Sequence, residues 1–181
     1  MKPIIFLVVL LHAIPGISVA QMTPMGNHQT PRHAHGRKPI AYSRGIGLLL
    51  TQYYLVKDAL VSGKAKTVAE KANSFTAILA MIEPTVLTAT ELTSLNRVQD
   101  SLASGAASIS KSTDIEAQRR AFESFSLNMW ALVKGAGTSE EPIYQQYCPM
   151  KKAYWLSSEE TIKNPYFGKK MRSCGKVSAT L

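Results

Sequence analysis

Hydrophobic residues recur at every third or fourth position through the middle of the chain, a period typical of amphipathic helices packed on a core. Four such stripes follow one another: Leu49, Tyr53, Val56 and Leu60; Val68, Ala72, Phe75, Leu79 and Ile82; Leu92, Leu95, Val98, Leu102 and Ile109; and Ile115, Phe122, Phe125, Met129 and Leu132. The connections between them are short, so the pattern predicts an all-α fold built on an up-and-down four-helix bundle.

The residues between the stripes predict where the helices begin and end. Ser62-Gly63 supplies a stop for the first helix, and Pro84 lies just beyond the second. The hydroxyl of Thr88 or Thr90 suits an N-cap for the third helix. Thr113-Asp114-Ile115-Glu116 has the capping-box pattern and is expected to open the fourth.

After Gly137 the helical period ends and aromatic residues become frequent. We expect a C-terminal tail that folds back and lays these rings against the bundle. Asn164-Pro165 predicts a turn, and Gly168 permits a chain reversal that would bring Cys174 back towards Cys148. The aromatic residues of this segment are Tyr144, Tyr147, Tyr154, Trp155, Tyr166 and Phe167.

The first 20 residues have the pattern of a secretory signal peptide. Lys2 provides the positive start, residues 4–11 form an apolar run, and Ser18-Val19-Ala20 is a small-residue cleavage site. The apolar run is too short for a membrane-spanning helix. We therefore expect a periplasmic or secreted protein with no stable membrane anchor after cleavage, a mobile leader over residues 21–44, and a single helical domain over residues 45–178.

Charge and motif content narrow the function classes. The net charge is +9, but residues 46–148 are close to neutral, so the basic residues lie mainly at the two ends of the mature chain. An exported chain rarely meets nucleic acid, so we expect no nucleic-acid partner. The sequence contains no Gly-rich phosphate loop, no Ser-His-Asp order and no His-Glu-x-x-His motif, and we predict that the protein is not an enzyme.

The C-terminal segment contains both cysteines of the chain, each with a methionine close by: Cys148 with Met150, and Met171 with Cys174. Thiolate and thioether are soft ligands that select Cu(I) or Ag(I), so these four residues are a candidate metal site. The alternative is a disulfide between Cys148 and Cys174, because cysteine pairs tend to close in an oxidising compartment. We expect the neighbouring lysines, Lys151 and Lys152, to lower the pKa of a nearby cysteine.

The leader contains a second candidate site. His28, His33 and His35 lie within eight residues and could chelate Cu(II), Ni(II) or Zn(II), which makes them a possible accessory metal site. The alternative is that these histidines are incidental in a linker without ordered structure.

Several short motifs resemble those of a bacterial family of unknown function. The resemblance covers about residues 45–177 and rests on Tyr54–Leu60, Gln118–Phe122, Tyr147–Met150, Ala153–Ser157, Ile162–Gly168 and Met171–Gly175. That domain occurs in small exported proteins and as an appendage of periplasmic adaptor subunits in copper/silver efflux systems. The resemblance implies a helical periplasmic domain associated with heavy-metal efflux.

Together, the sulfur motif and the resemblance predict a periplasmic module that binds or hands over Cu(I) or Ag(I). Its partner would be an adaptor or another component of a heavy-metal efflux system. The alternative is a disulfide-stapled structural or interaction module with an unknown partner and no role in metal binding.

Overall fold

The computed structural model describes residues 44–137 and 141–181, with only the backbone of Arg44. The predicted signal peptide, the predicted leader and the candidate ligands His28, His33 and His35 therefore lie outside the described residues, except for the Arg44 backbone. None of the helices in the described part of the chain is both long enough and apolar enough to cross a membrane.

Four α-helices form most of the fold, as the hydrophobic period predicts. They are α1 (Arg44–Ser62), α2 (Ala65–Ala80), α3 (Ala89–Lys111) and α4 (Ile115–Ala136). A short 3₁₀ turn, Pro84–Val86, connects α2 to α3. The prediction of four helices is confirmed, and the fold is mostly helical.

Contacts between distant residues show that α1 and α2 run antiparallel, and that α3 and α4 do so as well. Gln52 Nε2 on α1 donates to the Lys71 carbonyl on α2 at 2.9 Å, on either side of the short connection between these helices. A Cβ added to Gly135 near the end of α4 would lie 2.7 Å from Ser94 Oγ near the start of α3. The aromatic centre of the bundle packs Tyr53 against Phe122, with ring centroids 5.4 Å apart.

The segment after α4 is not a helical or irregular tail but a small antiparallel sheet. Its strands are β1 (Tyr144–Cys148), β2 (Ala153–Ser157) and β3 (Lys176–Thr180), in the order β2-β1-β3. The all-α prediction is therefore wrong for this segment, because the aromatic-rich stretch satisfies its backbone groups by strand pairing. The pairing extends to Leu181, whose N–H and C=O both bond to the backbone of Ile143.

The sheet packs against the helices through buried aromatic side chains, as expected for the aromatic residues. Trp155 and Tyr166 are buried, and the Tyr166 ring lies 5.9 Å from the Phe122 ring of α4. Tyr53 Oη on α1 accepts a hydrogen bond from the backbone N–H of Leu156 at 2.9 Å. The same hydroxyl bonds to Ser126 Oγ on α4 at 2.8 Å. One buried hydroxyl therefore joins two helices to β2.

Candidate functional site

The two cysteines come together at one end of the sheet. Cys148 is the last residue of β1, and Cys174 lies two residues before β3. Because β1 and β3 are antiparallel neighbours with Tyr147 opposite Lys176, the end of β1 lies beside the start of β3. The two Sγ atoms are 3.4 Å apart, and both thiols are free. Cys148 is buried and Cys174 is half-buried, so the pair can be reached from the Cys174 side.

A four-residue turn, residues 149–152, follows Cys148 and connects β1 to β2. The backbone N–H of Lys152 donates to the Cys148 carbonyl at 2.8 Å and closes the turn. Lys152 adopts φ 55°, an uncommon left-handed conformation for a residue other than glycine. Met150 lies in this turn with 68% of its surface exposed, and its backbone N–H bonds towards the Cys174 thiol.

Asn164 holds the segment that carries Cys174. Its side chain is fully buried, and Nδ2 donates to the Cys174 carbonyl at 2.7 Å. Its Oδ1 accepts from the backbone N–H groups of Tyr166, at 2.8 Å, and Phe167, at 3.3 Å. Its own backbone N–H donates to the Arg172 carbonyl at 2.8 Å. The predicted turn is therefore confirmed, and its asparagine also fixes the backbone of Cys174.

Arg119 connects this same loop to the helices. Its Nε donates to the Pro165 carbonyl at 3.1 Å, and Nη2 donates to the Leu60 carbonyl at 3.4 Å, near the end of α1. Gly168 passes close to this guanidinium with φ 54°, and an added Cβ would lie 2.6 Å from Arg119 Nη2. Glycine is required here both by the left-handed backbone and by the space that Arg119 occupies.

Trp155 lies beside the thiol pair. A Cβ added to Gly175, the residue after Cys174, would lie 2.8 Å from Trp155 Cη2. The indole is fully buried, and its Nε1 has no hydrogen-bond partner within the described ranges. Its position makes Trp155 a natural fluorescence reporter of changes at Cys174.

The thiol of Cys174 has a raised pKa and therefore resists ionisation. The hydrogen bond with Cys148 raises the pKa of Cys174, and burial and the charge of an ionised Cys148 raise it further. The prediction that neighbouring lysines lower the pKa of a cysteine is therefore wrong for Cys174. Part of the reason is that Lys151 is engaged elsewhere, since its Nζ lies 2.5 Å from Glu123 Oε1 on α4.

The candidate ligand atoms at this end of the sheet are all sulfur atoms. Across residues 44–137 and 141–181, no group of three or more His, Cys, Asp and Glu side chains could hold a metal ion. Met171 closes a short 3₁₀ turn, Gly168–Met171, and its carbonyl accepts from the Cys174 N–H at 3.1 Å. Its side chain is 37% exposed. Both methionines thus lie on segments bonded directly to a cysteine, and both reach solvent.

Sequence reasoning named the two cysteines and two methionines of this region but missed the residues that position them. The sequence predicts only a turn at Asn164 and assigns no role to Arg119. A signal for Asn164 is present in the sequence, because Asn-Pro marks a turn and an asparagine side chain can accept a hydrogen bond from the backbone N–H two residues on. No comparable signal marks Arg119, since its partners are backbone carbonyls from distant parts of the chain.

Comparison with known proteins identifies the helical part of the chain. No curated protein and no solved structure matches the chain. Residues 49–141 match the model of the family described as "Protein of unknown function (DUF3347)". The match spans the four helices from within α1 and ends before β1, so both cysteines lie beyond it. With its helical bundle matched in this way, the chain belongs to the DUF3347 family.

Proposed function

We propose that this protein is a periplasmic module that binds or hands over Cu(I) or Ag(I), with Cys148 and Cys174 as its thiolate ligands. The observation that carries the proposal is the 3.4 Å separation of two free thiols, one buried and one half-buried, at the end of a sheet. Met150 and Met171 are the candidate thioether ligands, since each lies on a segment bonded to a cysteine and remains exposed.

The spacing suits a shared ion after a small adjustment. Two sulfurs about 2.3 Å from one ion with a tetrahedral angle would be about 3.8 Å apart. The observed separation of 3.4 Å therefore needs to widen by only a few tenths of an ångström. The bound ion would supply a positive charge that stabilises both thiolates. Sulfur ligands also favour soft monovalent ions over the harder divalent ions.

Proton release should accompany binding, because the pKa of Cys174 is raised and the thiol keeps its proton at neutral pH. The apparent affinity should therefore rise with pH until the pair is ionised. The assignment to the periplasm and to heavy-metal efflux is supported by the signal-peptide pattern and by the resemblance of the sequence motifs.

The test is a competition titration of the reduced protein against a Cu(I) chelator such as bicinchoninate. We expect one Cu(I) per chain, and we expect Met150→Ala combined with Met171→Ala to weaken binding by about tenfold or more. Met81→Ala is a matched control, since Met81 is also exposed but follows α2. The proposal fails if the reduced protein binds no Cu(I), or if Cys148→Ser combined with Cys174→Ser leaves the affinity unchanged.

The second candidate function is a disulfide-stapled structural or interaction module without a metal. The same thiol pair supports it, because closing 3.4 Å to the S–S bond length of about 2.05 Å needs a modest movement. A staple from residue 148 to residue 174 would contribute about 3.5 kcal/mol in the chain-entropy model. Urea unfolding with and without reductant separates the two candidates. A loss of that size on reduction, together with no Cu(I) binding, would favour the staple.

A further inference from the structure

Basic residues flank both cysteines along the chain. Lys152 lies in the turn after Cys148, and Lys176 pairs with Tyr147 at the start of β3. Three more cations lie on the segment that leads into Cys174. We call these five residues the basic surface: Lys152, Lys169, Lys170, Arg172 and Lys176, all of which are exposed. Within the described part of the chain, none of the five forms an ion pair.

The acidic residues Glu159 and Glu160 lie in the loop after β2, beyond Ser157, which pairs with Tyr144. This loop returns beside the middle of β1, because Gln146 Nε2 donates to the carbonyls of Glu159, at 2.9 Å, and Glu160, at 3.0 Å. The Glu159 carboxylate binds Lys163, which is not one of the five cations. The basic surface therefore keeps its positive charge next to Cys148 and Cys174 along the chain.

This unpaired positive charge affects how a soft cation could reach the site. A free monovalent ion would be repelled by five unpaired cations, whereas an ion carried by an anionic molecule would be attracted. The basic surface thus favours delivery or removal of the ion by a negatively charged carrier.

We propose that the basic surface docks the acidic face of a partner protein, which exchanges an ion with the thiol pair. This inference rests on the proposed function of Cys148 and Cys174. A protein fits better than an anionic lipid surface, because lipid binding also needs apolar side chains to insert. Around these thiols, the exposed large hydrophobic residues among those described are Met150 and Met171, which are the candidate ligands themselves.

The test measures the local field at the thiols without a metal. Two synthetic peptides, one Glu-rich and one Lys-rich, each carry a single cysteine as a mixed disulfide with 2-thiopyridine. A thiolate of the reduced protein attacks the peptide sulfur, forms a mixed disulfide and releases pyridine-2-thione, whose absorbance gives the rate. At low salt we expect the acidic peptide to react at least about tenfold faster than the basic one. At 1 M salt, where the Debye length is about 3 Å, the ratio should approach one.

Charge-reversed variants make the test specific. Lys169→Glu combined with Lys170→Glu should lower the rate ratio at least threefold. Arg97→Glu combined with Lys134→Glu is the matched control and should leave the ratio unchanged. It changes the net charge by the same amount, but it lies where α4 ends and α3 begins, away from Glu123, where Lys151 of the β1–β2 turn contacts α4. If the first variant loses its helical circular dichroism, Lys152→Gln combined with Lys176→Gln replaces it.

Three results would contradict or redirect the proposal that the basic surface docks an acidic partner. A rate ratio near one in the wild-type protein would overturn it, as would an equal drop in the control variant, which would show that only net charge matters. Binding to phosphatidylglycerol vesicles that Lys169→Glu and Lys170→Glu abolish would overturn the protein partner and assign the surface to lipid. Because no metal enters the peptide assay, a failure to bind Cu(I) would refute the proposed function and leave this measurement intact.

Discussion

Removing the buried amide of Asn164 should loosen Cys174 relative to Cys148. The side chain makes three hydrogen bonds: Nδ2 to the Cys174 carbonyl, and Oδ1 from the N–H groups of Tyr166 and Phe167. At about 1 kcal/mol for each bond, Asn164→Ala should lower the free energy of unfolding by about 3 kcal/mol. Urea unfolding monitored by circular dichroism measures this loss.

Asn164→Asp separates positioning from stability. This variant keeps an acceptor for the N–H groups of Tyr166 and Phe167, but it loses the donor to the Cys174 carbonyl and places a carboxylate beside that carbonyl. We expect the equilibrium constant for closing the disulfide against glutathione to fall by at least about tenfold, which corresponds to 1.4 kcal/mol. The fluorescence of Trp155 and the masses of the trapped dithiol and disulfide forms report this equilibrium.

The matched control is Gln118→Leu. Gln118 is also a fully buried amide, and its Nε2 donates to the carbonyls of Ala65 and Ser112 at 2.9 and 2.7 Å, where helices begin and end. Its loss should lower stability but leave the thiol equilibrium unchanged. If Gln118→Leu and Asn164→Asp shift that equilibrium equally, or if neither shifts it, Asn164 does not set the geometry of the thiol pair.

Two further predictions concern the core and pH. Phe122→Ala should cost about 3–5 kcal/mol in urea unfolding, because the ring is fully buried against Tyr53 and Tyr166. Leu127→Ala, at a position that is 52% exposed, should cost under about 1 kcal/mol, and equal losses would contradict the packing of α4. The hydrogen bond with Cys148 and burial raise the pKa of Cys174, so the unfolded thiol ionises first and the reduced protein should lose stability as pH rises above about 9. Burial raises the pKa of Tyr53 and Tyr166 as well, so the oxidised protein should begin to lose stability only above about pH 10. If the reduced and oxidised proteins lose stability over the same pH range, Cys174 does not have this role.

The helices could be predicted from the sequence because their buried residues keep a strict helical spacing. Thr88 is the N-cap of α3, as predicted, and it forms a capping box with Glu91. The box predicted at Thr113 does not form in that way, because Asp114 is the N-cap of α4 and its carboxylate accepts from the N–H groups of Glu116 and Ala117. Aspartate is preferred over threonine at the N-cap, and each oxygen of Asp114 accepts one of these two bonds.

The sheet escaped prediction because its strands bury polar residues. Gln145 and Gln146 are consecutive in β1, and both are buried, so the alternation of apolar and polar residues is absent. Gln146 is accommodated because its Nε2 lies within hydrogen-bonding distance of the carbonyls of Glu159, at 2.9 Å, and Glu160, at 3.0 Å. These carbonyls belong to a loop that only the folded chain brings close. The cysteine pair could be proposed from the sequence, but Arg119 and the register of β3 depend on long-range contacts.

The hydroxyl of Tyr53 has a consequence for how the protein unfolds. It bonds to Ser126 of α4 and to the amide of Leu156 in β2, in a place that water does not reach. Peeling β2 away would break the bond from the Leu156 amide and leave the Tyr53 hydroxyl with only its bond to Ser126, so local opening at β2 carries the cost of losing a buried hydrogen bond. The amide of Leu156 should accordingly be among the slowest to exchange its hydrogen. A fragment cut at the end of the family match, before β1, would lack half of this linkage and should behave as a loosened bundle rather than as an autonomous domain.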